Sequence, residues 1–238
     1  MWHCVTGCHD WRDGSFLEHV LTVAAGVGAI DKTTTWVQFG YSGRRRKAAI
    51  GAGELSAQLR ELVGNSDGCD IEAGGRAPAD WSLTVHVGDW RADAASVDGM
   101  SMIQIDFPGA EFAHGEGSQR LRDAFRQAHG PETTEYAAIH PWEPRVHLRT
   151  GLYQAAVTTG IAFAGVAWAN FLGPGHIEDF DRARLDVRDG FTAEWRGEDG
   201  LFVFAAADLD EARSSGEVEE QLVSLTKMFR HARTTGPQ

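Results

Sequence analysis

Between Asp80 and Pro108 the chain alternates twice between apolar and polar positions. Trp81, Leu83, Val85 and Val87 share one parity, and Ser82, Thr84, His86 and Gly88 the other. That two-residue period is the mark of a half-buried strand. Ile103, Ile105 and Phe107 then alternate with Met102, Gln104 and Asp106. The nine residues between the runs are rich in Ala, Asp and Ser and end in Asp98-Gly99, a turn dipeptide. The pattern predicts a long antiparallel hairpin at the centre of a sheet.

The rest of the chain supplies elements to flank and cover that hairpin. Trp2 to Thr6 suits a short first strand. Ser15 and Glu18 have capping-box spacing, and Leu17, Val20, Leu21, Ala24 and Val27 form a helical apolar stripe. Thr33 to Tyr41 is β-branched and aromatic and reads as a strand. A second helix is expected over Gly53 to Val63, followed by a polar, Gly-rich loop from Gly64 to Pro78. Ser118 is expected to open a third helix with Leu121, Phe125 and Ala128 inward, stopped by Gly130-Pro131.

Short strands are expected at Thr134–His140 and Arg145–Arg149, with a helical turn or two from Thr150 to Thr159. A buried strand is expected at Ile161–Leu172, ended by Gly173-Pro174. A second hairpin follows: Gly190–Arg196 and Leu201–Ala206 joined by Gly197-Glu198-Asp199-Gly200. Ser214 or Ser215 would cap a closing helix striped by Val218, Leu222, Leu225 and Phe229. Its acids come first and its bases last, as the helix dipole favours. The fold class is α+β: an antiparallel-dominated sheet built around long hairpins, with helices packed on it. Residues 1–233 form either one such unit or two fused similar halves, 1–112 and 113–233, with 234–238 a frayed tail.

Charge narrows the choice of partner. The net charge is −12, and His176 to Glu220 carries fourteen acids against five arginines, a net −9. The one basic cluster is Arg44-Arg45-Arg46-Lys47. Such a balance argues against direct nucleic-acid binding and suits a basic protein partner as readily as it suits plain solubility. Three cysteines and an N-terminus without an apolar leader fit a reducing, cytoplasmic setting. Gly151 to Ile177 carries no acidic or basic residue apart from His176, but its Gln, Thr, Gly and Asn interruptions favour a buried helix and strand over a membrane span.

Chemical motifs are sparse. His3, Cys4, Cys8 and His9 place four metal-type ligands within seven residues, without a second pair to close a zinc site. The alternative is a surface or sheet-edge cluster of reactive thiols, a metal or thiol sensor at most. His140 with Glu143, and His176 with Glu178, have acid/base spacing and support the alternative of a hydrolase-like small-molecule enzyme. No nucleophile elbow, phosphate loop or zinc-protease motif occurs, so no cofactor is expected. Trp36 and Trp81 read as core aromatics, while Trp11 and Trp90 sit at element ends where an exposed ring would anchor an interface.

Several of these features together resemble the bacterial polymorphic-toxin immunity proteins called the immunity protein 52 family. Asp10-Trp11-Arg12 precedes the first helix. Trp36 follows it, with Gly40 and a basic stretch after. A Trp-bearing strand runs from Trp81 to Trp90, and the next strand ends at Phe107-Pro108. In the second half, an aromatic-rich strand (Val166 to Leu172), a Gly-containing hairpin and an amphipathic closing helix continue the likeness. A related group of uncharacterised immunity-like proteins fits that half equally well.

The resemblance implies a protein without catalysis that binds and neutralises a cognate toxin, of basic nuclease type. The contact surface expected from the charge pattern is Glu178, Asp179, Asp181, Asp186, Asp189, Glu194, Glu198 and Asp199, with Trp195 as aromatic anchor.

Overall fold

The computed structural model describes residues 2–7, 15–30, 36–39, 46–47, 57, 69–74, 81–87, 100–139, 167–177 and 192–211. Ten strands form one sheet: β1 (Trp2–Gly7), β2 (Trp36–Phe39), β3 (Arg46–Lys47), β4 (Cys69–Gly74), β5 (Ser82–Val87), β6 (Met100–Asp106), β7 (Tyr136–Ile139), β8 (Ala169–Leu172), β9 (Thr192–Trp195) and β10 (Leu201–Phe204). Their spatial order is β3-β2-β4-β5-β6-β1-β7-β8-β10-β9. Every pairing is antiparallel. Among the described residues the sheet is accompanied by α1 (Ser15–Gly26), α2 (Gly115–Ala128) and the single turn α3 (Pro174–Ile177). The α+β class is as expected.

The expected central hairpin is β5–β6, with Ser82 opposite Asp106 and Val85 opposite Ile103. Residues directly opposite in an antiparallel pair share a face. Leu83, Val85, Ile103 and Ile105 are buried, whereas Ser82 and Thr84 are exposed. The same buried face continues through Ala137, Ile139, Ala169, Phe171, Phe202 and Phe204. The amphipathic helices lie over it. Leu17, Val20, Leu21 and Ala24 of α1 and Leu121, Ala124, Phe125 and Ala128 of α2 are buried in one core with these strands. Phe125 sets its ring edge toward Phe202 and Phe204, at centroid distances of 6.0 and 6.4 Å. In the second half the opposite face is buried too: Tyr136, Ala138, Asn170, Leu172, Leu201 and Val203 are all covered.

Three expectations are corrected. The stretch 64–78 is not all loop, because Cys69–Gly74 is an interior strand paired to both β2 and β5. Ladder bonds on both sides outweigh the weak strand preference of its Asp, Glu and Gly. Within the basic cluster, Arg46–Lys47 forms a short strand paired with Trp36 and Val37. β1 lies mid-sheet, between β6 and β7, so His3 and Cys4 are not at a sheet edge.

The third correction concerns Ser118, which does not open α2. The helix begins at Gly115, whose N–H donates to the Asp208 carboxylate at 2.7 Å. The Ser118 hydroxyl is buried one turn in. It donates to the Phe112 carbonyl at 2.7 Å and accepts from the Leu209 N–H at 3.0 Å. Ser118 therefore ties the helix to a 3-10 turn (Ala110–Phe112) and to the segment after β10. The α2 residue before it must be glycine, because a Cβ on Gly117 would fall 2.0 Å from the Glu111 carbonyl oxygen.

The expected strand over 161–172 is observed as Ala169–Leu172, ending at Gly173 as read from sequence. Apart from Ala57, which is helical, the helix expected over 53–63 lies outside the described residues. So do Arg145–Arg149, Thr150–Thr159 and the closing helix after Ser214.

Candidate functional site

The second hairpin, β9–β10, carries the described part of the expected contact surface. Leu201 faces Trp195 and Phe204 faces Thr192 across it. The Arg196 N–H donates to the Gly200 carbonyl at 2.8 Å and closes the turn. Gly197 takes φ +67, a left-handed conformation that side-chain-bearing residues rarely adopt. The turn thereby holds Glu198 and Asp199 out in solvent.

Glu194, on the same hairpin, is engaged inside the chain. Arg126 of α2 grips it with two prongs: Nε donates to Oε2 at 2.8 Å and Nη2 to Oε1 at 2.7 Å. Nη1 of the same guanidinium donates to Asp123 at 2.7 Å. The hydrogen bond from Arg126 holds the Glu194 carboxyl below its ordinary pKa. The same bond raises that of Arg126. Arg122, one helical turn earlier, is lowered, chiefly by burial. Both guanidinium groups lie over the ring of Phe204, at 4.4 Å and 4.5 Å from its centroid. The outermost strand in the sheet order is thus clamped to the helix layer.

Beside the hairpin turn lies an open cleft of about 630 Å³, where the start of α1, the end of α2 and the turn converge. Its walls include His19, Gln127, Glu132, Thr133, Arg196 and Gly197. His19 Nε2 lies 3.1 Å from the Gln127 carbonyl and joins the two helices. His129 also lines the cleft but is fully buried. Its Nδ1 lies 3.1 Å from the Thr134 hydroxyl, and its ring packs edge-on against Phe125. Burial, helped by the nearby His19, pushes its pKa down to about 3. The imidazole is therefore neutral, and its surroundings are those of a core aromatic.

A third polar feature is structural. Asn170 is buried and uses both ends of its amide. Oδ1 accepts from the Ala167 N–H at 2.8 Å, and Nδ2 donates to the carbonyls of Ala167 and Val203, at 2.8 and 3.2 Å. It pins the entry of β8 to β10.

The sequence-derived candidates distribute as follows. Glu194 is ion-paired, Glu198 and Asp199 are exposed at the turn, and Trp195 is half-buried against the core. Glu178, Asp179, Asp181, Asp186 and Asp189 lie outside the described residues, as do His140, Glu143, Cys8 and His9. His3 stands opposite Gln104 and Ala138, and Cys4 opposite Ile103 and Ala137. Among the described residues no group of three or more His, Cys, Asp or Glu could hold a metal ion. Nor is any described helix long and apolar enough to cross a membrane.

Sequence reasoning missed Arg126, Asp208 and the cleft. A signal existed for the first, since Arg122 and Arg126 are spaced i, i+4 and share a helix face. Asp208 pairs across 93 positions and left no local signal.

No family model matches the chain. No curated protein matches it either. Among solved structures, one titled Pseudomonas aeruginosa T6SS protein PA0821 superposes with a TM-score of 0.56 at 13% identity, covering 98% of this chain and 71% of that one. At that identity the likeness is one of fold: the antiparallel α+β architecture is shared with a known protein.

Proposed function

We propose that this protein is an immunity protein that binds and neutralises a cognate bacterial toxin, and that it is not an enzyme. The observation that carries the reading is the second hairpin. Arg126 holds Glu194 and so ties β9 to α2, while the turn presents Glu198 and Asp199 to solvent. A preformed acidic projection suits a basic, nuclease-type surface, where carboxylates take the place of phosphates. The strongly negative charge of the last third of the chain supports the same reading. So does a neighbour in fold whose title places it in a type VI secretion system. Toxin capture would take place in the cytoplasm, where a nuclease meets its substrate.

The test is affinity capture from the native host's lysate at low and at moderate salt, followed by co-expression of the retained protein. A basic protein that is toxic alone, harmless when co-expressed and released by salt is the expected result. A retained toxin indifferent to salt would keep neutralisation but move the contact to apolar surface. Capture of no toxin would sink the reading.

A further inference from the structure

The cleft beside the hairpin turn holds two charges of opposite sign that do not meet. Arg196 lines it from the turn, and Glu132 from the loop after α2. Both are exposed, and neither makes an ion pair or a side-chain hydrogen bond among the described residues. Arg126, by contrast, is matched directly, to Glu194 and Asp123. At the cleft the spacing is maintained by the frame. His19 on Gln127 fixes the α1–α2 junction, and the bond from Arg196 N–H to Gly200 fixes the turn.

An open cleft of about 630 Å³ has room for two or three residues of an extended peptide. Its charges dictate what fits. A guanidinium recognises a carboxylate through two parallel hydrogen bonds, and a carboxylate recognises an ammonium or guanidinium. A ligand of one sign would satisfy one wall and be repelled by the other. Gly130 and Gly197 at the rim allow a backbone to approach closely.

We propose that the cleft receives a short peptide segment of the partner, with an acidic side chain on Arg196 and a basic side chain on Glu132. The identity of that partner rests on the immunity reading; the chemistry of the cleft does not. The exposed acids Glu198 and Asp199 then steer a basic partner in, and the mixed-charge cleft beside them selects one docking register.

The probes are three blocked tripeptides: glutamate-glycine-lysine, and its two analogues in which glutamine replaces either charged residue. Each is titrated into the full chain while the NMR signals of His19, Thr133 and Gly197 are followed. The expected result is saturable shifts with the doubly charged peptide, about tenfold weaker binding of each analogue, and loss of the preference in Arg196→Gln and Glu132→Gln. Both substitutions are at exposed positions, so circular dichroism should be unchanged.

Equal binding of all three peptides, no saturable binding, or preference retained in either variant would overturn the proposal. The two readings fail separately. Toxin capture untouched by both substitutions sinks the cleft alone, whereas peptide selectivity without any captured toxin sinks the immunity reading alone.

Discussion

Arg126 and Glu194 are 68 positions apart and are joined by two parallel hydrogen bonds of 2.8 and 2.7 Å. The pair connects the last turns of α2 to β9, at the end of the ten-strand order. Both side chains are partly exposed, at 25% and 38%, so its contribution is modest. Arg126→Ala should cost about 1 kcal/mol, including lost packing on Phe204. Arg126→Lys should lose most of that as well, since an ammonium cannot reproduce the fork. Urea titration checks both, and a Lys variant as stable as the parent would show that geometry is unimportant here.

The buried His129 predicts acid sensitivity. Unfolded, the ring takes up a proton below its ordinary value of about 6.5; folded, it refuses one until about 3. The unfolded state therefore binds more protons between those values, and stability must fall as pH drops from about 6.5 toward 3. The slope from this one group is at most about 1.4 kcal/mol per pH unit. His129→Phe should flatten that slope by up to one proton's worth, read as urea midpoints across the range. An unchanged slope would place the acid sensitivity elsewhere.

Glu194 adds a second acid-sensitive contribution at lower pH. Its folded pKa is depressed, so its stabilisation is present above the unfolded carboxyl value and is lost as pH falls through the folded one. Glu194→Gln should leave the dependence near pH 6 alone and remove only this lower-pH component.

At the start of α2 three small contacts are predicted to be costly. Gly117→Ala forces a carbon onto the Glu111 carbonyl, which is main chain and cannot swing away. A loss of about 2–4 kcal/mol is expected. Ser118→Ala leaves the buried Leu209 N–H without its acceptor and should cost about 1–3 kcal/mol. Asp208→Ala removes the acceptor for Gly115 N–H and should cost about 1 kcal/mol. Thermal or urea unfolding orders the three.

For the proposed function, Glu198→Lys with Asp199→Lys should weaken toxin binding about tenfold or more and flatten its salt dependence, through slower association. Binding that is unaltered would remove the turn from the interface.

Local pattern was a good guide wherever the determinants were local. The alternation around Leu83 and Ile105, the stripe of α1 and the Gly-bearing turn of β9–β10 all read correctly from sequence. The failures were long-range. Cys69, Ile71 and Ala73 do alternate with Asp70 and Glu72, but only pairing on both sides makes that polar stretch a strand. Ser118 has the chemistry of a helix start, yet the real start is fixed by an acid 93 residues downstream of Gly115. At the candidate site, the acidity of the second hairpin was legible, but the commitment of Glu194 to Arg126 was not. The cleft joins residues from three separate segments and has no signature in any one of them.

The mid-sheet position of β1 has a consequence for how the chain folds. Residues 2–7 are far along the chain from their ladder partners, Met100–Ile105 on one side and Tyr136–Ile139 on the other. Until those arrive the strand has both edges open. The two flanks of the sheet can assemble around their own nearest-neighbour strands, and β1 is the piece that zips them together. Such a long loop closure slows folding.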